Sequence, residues 1–279
     1  MKKTLAAALL FSLVASLAFA SSSQIALDKA ETNFEITENS YYNLDITFEF
    51  SEITTLDVSS KKGVFTELLI PDGYYVGKIG SPKLPAIKKL IEIPFGAEVT
   101  IEVLDYTVSE YDLHDYQILN NIMPVQPSLS KSTDPSTVPF EFNEDEYAVN
   151  AYNEEELATV EVLGTLRSFH IAQLVIAPVR YNPVENKIKF YNDIKVQVNF
   201  HNPDIAETEY IKSATYSPYY NVITDRLFNG GNRDYPAHPD LVTYPVKYLI
   251  VADRMFEIPV GVVTALFGAP FFVYLLKRK

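Results

Sequence analysis

Four histidines, a scatter of carboxylates and a complete lack of cysteine set the limits on the chemistry this chain could do. His114, His170, His201 and His238 stand apart, without the H-E-x-x-H pattern or paired spacing that holds zinc. His170 falls at the start of a strand and His201 at the end of one, so structural or exposed roles are expected for them. Without cysteine there is no thiolate nucleophile, disulfide or thiolate metal site. A Ser-His-Asp system would remain, but no G-x-S-x-G elbow is present. Gly77-Lys78-Ile79-Gly80 has glycines spaced as in a phosphate loop, yet lacks G-K-[ST] and a following helix, so it reads as a tight structural loop. Glu141, Glu144, Asp145, Glu146, Glu154, Glu155 and Glu156 form an acidic run without the D-x-[DN]-x-[DN]-G order of a calcium loop, and read as a solvated face. The expectation is no catalytic residue, no metal site and no cofactor.

The elements that would position any site are strands. Residues 161–201 read as a hairpin around which the rest is built. In its return limb Ile188, Phe190, Ile194, Val196, Val198 and Phe200 share one face, and Lys187, Lys189, Asp193, Lys195, Gln197 and Asn199 share the other. Alternation of that length means one buried and one wet face, and a slip of one residue would put the whole apolar set in water. The outgoing limb is apolar on both faces near 174–177 and is expected nearer a sheet centre. Asn182-Pro183 and Glu185-Asn186 supply the turn. Tyr42, Leu44, Ile46, Phe48 and Phe50 alternate in the same way, and 64–70, 87–95 and 98–108 read as further strands. With 19 Tyr, 17 Phe and 17 Pro, the composition also leans to an all-β fold. Residues 122–139 interleave Pro124, Pro127, Pro135 and Pro139 with serines and read as a long exposed loop. The formal net charge of -13 argues against nucleic acid and anionic membrane surfaces as partners.

The two ends differ from the middle. Residues 1–20 read as a signal peptide: Lys2 and Lys3, an apolar stretch, and Ala18-Phe19-Ala20 with cleavage after Ala20. Export would place the mature chain in the cell envelope or outside the cell. Residues 203–243, opening at Asn202-Pro203 and holding Gly230-Gly231 and Pro236, read as a linker that could contain one short helix in 210–227. Residues 246–252 are a compact apolar strand of the parallel-sheet type. Residues 258–276 are nearly uncharged and precede Lys277-Arg278-Lys279, which makes them a hydrophobic-helix and membrane-span candidate.

Gly77-Lys78-Ile79-Gly80-Ser81-Pro82-Lys83-Leu84-Pro85, Gln126-Pro127-Ser128, and Tyr181-Asn182-Pro183 with its return strand together resemble the pro-domain of gingipain-type cysteine peptidases. The resemblance implies a pro-domain over 21–202, folded as a sandwich of two antiparallel sheets. Residues 244–257 are similar to the first strand of the family's caspase-like catalytic domain, here a truncated start. Residues 258–279 resemble the C-terminus of an iron-chelate ABC importer permease. They read as unrelated sequence joined by gene fusion or assembly artefact, the alternative being a real inner-membrane anchor. The implied role is that of intramolecular inhibitor and folding aid, with the catalytic domain of such a peptidase as partner. Lys131, alone among Lys and Arg between Lys89 and Arg167, is the implied plug of a basic-specific cleft. Arg233, or Arg226 before it, is the implied activation cleavage site. Other readings of the sandwich are a surface-binding or adhesion module, or a membrane-anchored protein through 258–276.

Overall fold

The computed structural model describes residues 22–134, 137–215 and 225–230. The strands are β1 (Ser22–Ala26), β2 (Asn33–Asn39), β3 (Asn43–Glu49), β4 (Glu52–Ser60), β5 (Gly63–Leu69), β6 (Tyr74–Val76), β7 (Leu84–Ile93), β8 (Glu98–Asp112), β9 (Ala158–Leu166), β10 (Phe169–Ile176), β11 (Val179–Asn182) and β12 (Lys187–His201). Two short helices, α1 (Glu144–Tyr147) and α2 (Ile205–Thr215), and a 3-10 turn at Leu113–Tyr116 complete the described elements.

The fold is an all-β sandwich of antiparallel sheets. One sheet runs β11-β12-β3-β2, with β8 along the other edge of β12, and the second runs β6-β7-β10-β9. A smaller sheet, β1-β4-β5, adds to them. The alternation read from sequence sets the inner faces. Leu44, Ile46 and Phe48 of β3, with Ile188, Phe190, Ile194, Val196 and Val198 of β12, are all buried. They share one core with Ile87, Ile91 and Ile93 of β7 and Ala172, Leu174 and Ile176 of β10. β10 lies between β7 and β9, an inner position that accounts for its apolar faces. In β12, Asn192 interrupts the apolar series but is nevertheless buried. Its side chain accepts from Phe50 N at 2.8 Å and donates to Phe50 O at 2.9 Å. Next to it, Asp193 has a φ of 50° where the register with β8 shifts, the geometry of a bulge.

The expected hairpin over 161–201 is corrected in one respect. Its outgoing limb does not pair with the return strand. β10 pairs with β7 and β9, the chain changes sheets at Ala177-Pro178, and only β11 pairs with β12. The real hairpins are β9–β10, turning at Arg167-Ser168, and β11–β12. In the latter, Asn182 Oδ1 accepts from Val184 N and Glu185 N at 3.1 and 3.2 Å, an Asx turn. Proline cannot donate to a ladder and ends the shared pairing at the crossing. Arg180 stitches this crossing by donating to Ala177 O, Val179 O and Glu155 O at 2.7, 2.9 and 2.6 Å. Burial lowers its pKa from the ordinary value.

The stretch expected as linker holds one short helix, placed earlier than the 210–227 expected for it. Residues Ile205–Thr215 are helical, opened by Asp204, whose Oδ1 accepts from Glu207 N at 2.8 Å. Among the described residues no helix is long and apolar enough to cross a membrane. The signal peptide with Ala20, the strand at 246–252 and the tail at 258–276 lie outside the described residues.

Candidate inhibitory loop and release segment

The 122–142 segment is fastened at both ends. On the incoming side, Thr66 N donates to Asn121 O at 2.9 Å and Met123 N to Thr66 O at 2.8 Å. Lys83 N then donates to Met123 O at 2.8 Å, Val125 N to Ser81 O at 2.9 Å and Gly80 N to Val125 O at 2.9 Å. Ile122 and Val125 are buried, so the expectation of a wholly exposed loop holds only beyond them. The Gly77–Gly80 turn is the clamp that receives this limb. Gly80 takes a φ of 86°, and a Cβ there would stand 3.1 Å from Asn143 N, so glycine is required for the close approach.

Gln126 closes the loop. Its Nε2 donates to Glu141 O at 2.8 Å and Glu141 N donates to its Oε1 at 3.1 Å, so one side-chain amide pairs both backbone groups of one residue. The outgoing limb rests Phe140 and Phe142 on Phe65, with ring centroids 5.5 and 5.9 Å apart. Lys61 Nζ donates to Val138 O at 2.8 Å. The limb ends at α1, where Glu144, Asp145 and Glu146 face solvent as expected of the acidic run, and Tyr147 turns inward. The Tyr147 hydroxyl donates to Ile122 O at 2.6 Å, and burial pushes its pKa well up. Between the two limbs Lys131 is exposed, in a turn where Thr133 N donates to Ser130 O at 3.0 Å.

The second segment is 225–230. Asp225 and Arg226 are exposed, whereas Leu227 and Asn229 are buried. The edge of β7 beyond its β6 pairing receives them. Phe228 N donates to Leu90 O at 2.7 Å. Asn229 Oδ1 accepts from Glu92 N at 2.7 Å, and its Nδ2 donates to Glu92 O at 2.8 Å. Across the gap, Asn39 Nδ2 of β2 donates to Asn229 O at 3.2 Å. The segment therefore joins an edge of each main sheet. Nothing in the sequence pattern marked it, because two apolar residues, Leu227 and Phe228, among turn formers carry no period and its polar contacts are made by backbone and one amide. Arg233 lies outside the described residues, so only Arg226 of the two arginines is placed.

The histidines do not converge. His114 Nδ1 sits 2.8 Å from Asp112 Oδ1, His201 Nε2 lies 2.9 Å from Thr100 Oγ1, and the His170 ring stacks on Phe95 at 5.5 Å. His238 lies outside the described residues. Among the described residues no group of three or more His, Asp or Glu is gathered as a metal would need. The 279 residues contain no cysteine and hence no thiolate nucleophile.

The described residues thus form an antiparallel β-sandwich with a long loop fastened along both limbs and Lys131 exposed within it. Residues 32–215 match Propeptide_C25, and the chain belongs to that propeptide family. Lys-gingipain of Porphyromonas gingivalis is 40% identical over 240 residues, covering 86% of this chain and 14% of that protein. Gingipain R1 of the same organism is 25% identical over 199 residues, covering 71% of this chain and 11% of that protein. The chain thus spans 14% of the length of the first curated relatives it matches. Among solved structures, one described as "Structural insight into zymogenic latency of gingipain K from Porphyromonas gingivalis" superposes with a TM-score of 0.62 at 40% identity. It covers 65% of this chain and 99% of that one. A "Complex of Porphyromonas gingivalis RgpB pro- and mature domains" gives 0.56 at 18% identity, covering 71% and 98%, a likeness of fold. The family match is to a propeptide and does not favour the adhesion-module reading.

Proposed function

We propose that this domain is the intramolecular inhibitor and folding aid of a gingipain-type cysteine endopeptidase, with that peptidase's catalytic domain as its partner. The observation that carries the reading is the loop: two fastened limbs leave Lys131 exposed between them. A basic-specific cleft would take that side chain in its primary pocket. Serines on either side leave room for narrow walls, and prior closure of the loop lowers the ordering cost of binding. A buried charge pair of this kind is worth ~2–4 kcal/mol.

In this reading the chain is exported after cleavage at Ala20 and acts in the cell envelope or outside the cell. Residues 21–202 make the inhibitory body, 203–243 lead out of it, and 244–257 begin the caspase-like domain. Anchoring through 258–276 would be an addition to that scheme. Release follows cleavage at Arg233 in preference to Arg226. The test is inhibition of a gingipain-type catalytic domain by residues 21–233, with and without Lys131→Ala. A loss of about 30-fold in affinity, the equivalent of ~2 kcal/mol, is expected. Equal inhibition by the two proteins would remove Lys131 from the cleft and leave the sandwich surface as the source of binding.

A further inference from the structure

We propose that residues 227–230 form an anchor that closes the Arg226-Leu227 bond to proteolysis and confines cutting to the chain beyond Gly230. This deepens the release step above, and its bearing on maturation rests on that reading. Arg226 is exposed, so its side chain alone would mark it as a cleavage site. A peptidase needs several residues on both sides of the bond in extended form, free of their own partners. The residues after Arg226 do not meet that need. Leu227 is 5% exposed. Phe228 N is bonded to Leu90 O, and the Phe228 ring stacks on Phe48 with centroids 6.4 Å apart. Asn229 uses both ends of its amide on Glu92 and its carbonyl on Asn39. Gly230 N turns back to Leu227 O at 3.0 Å.

Placing Arg226 in a cleft would require all of these to let go together, so cutting there proceeds only from the small population that has undocked. The first basic residue past the anchor is Arg233. A cut there leaves the anchor on the N-terminal product, where it continues to cover the open edge of β7. A cut at Arg226 would strip that edge of its covering.

The experiment is a time course of trypsin digestion of the full chain, followed by mass spectrometry of the fragments. Trypsin accepts any exposed Lys or Arg, so the result does not depend on the identity of the cognate peptidase. In the parent, cleavage at Arg226 is expected at least 10-fold slower than at Lys131. Asn229→Ala should speed cleavage at Arg226 by 10-fold or more while leaving Lys131 cleavage unchanged. Asn39→Ala, a milder change that spares the anchor itself, should speed it by a smaller factor and guards against misfolding of the first variant. Cleavage of the parent at Arg226 as fast as at Lys131 would overturn the proposal. So would an Asn229→Ala variant that folds, by circular dichroism, and is cut at Arg226 no faster than the parent.

Discussion

Changing Gln126 to Ala removes the side chain that bridges the two limbs at the base of the loop. Its two hydrogen bonds to Glu141, at 2.8 and 3.1 Å, are half-buried and between neutral groups. Each such bond contributes about 1 kcal/mol net, so the closed loop loses about 2 kcal/mol relative to the open one. Phe140 and Phe142 on Phe65, and Lys61 on Val138 O, stay in place and limit the opening. If only the closed loop presents Lys131 correctly, apparent affinity falls in proportion to the closed fraction. The expected loss of inhibition is therefore about 3- to 30-fold, with the upper figure reached only if closure was marginal at the start. The global unfolding midpoint should hardly move, because the loop opens as a local unit. The assays are inhibition of a gingipain-type catalytic domain, the rate of trypsin cutting at Lys131, and urea unfolding. Inhibition as tight as the parent's, together with unchanged cutting at Lys131, would refute the idea that Gln126 closes the loop.

Asn192→Ala strands Phe50 N and O in the core, where Phe50 is fully buried; two unpaired backbone groups predict a loss of about 2–4 kcal/mol in urea unfolding, and a shift under 0.5 kcal/mol would count against it. Asp112 caps the 3-10 turn, and its side-chain bond to His114 holds its carboxyl below the usual range. A depressed folded pKa gives a stabilising contribution that is present above the ordinary carboxylate value and lost as pH falls through the folded one. His114→Ala should raise the Asp112 pKa toward the ordinary value in an NMR titration; an unmoved titration would mean that the backbone bond alone sets it.

The sequence displays β3 and β12 clearly because each has one wet face, and the alternation follows from the pleat. It shows less of β10 and β11. Residues 174–179 are apolar throughout, and a run apolar at every position carries no period to say which sheet it joins. The short helix expected in 210–227 lies earlier, at Ile205–Thr215, and its start was not legible because it barely packs: within it only Thr208 is buried, so there is no apolar stripe. A signal was nevertheless present, since Asp204 precedes Glu207 by three, the spacing of a capping pair. The loop carrying Lys131 was legible as proline- and serine-rich, but its fastening was not. Gln126 and Asn229 act through amides on distant backbone, and a polar residue in a loop looks the same whether or not such a partner exists.

Strand β12 has a consequence for how the molecule comes to be folded. It is the partner of β3, with Val196 opposite Ile46 and Val198 opposite Leu44, and Asn192 reaches Phe50 across 142 residues of chain. β2 and β3 can therefore join only each other until nearly the whole domain is present. A topology dominated by such distant pairings folds on the order of milliseconds to seconds, because loop closure must precede the contacts that reward it. During that interval Leu44, Ile46 and Phe48 lie on an uncovered two-stranded ribbon, a surface prone to intermolecular pairing. A chain interrupted before β12 would keep that ribbon exposed indefinitely, so a chain ending before Lys187 should aggregate more readily than one that retains β12.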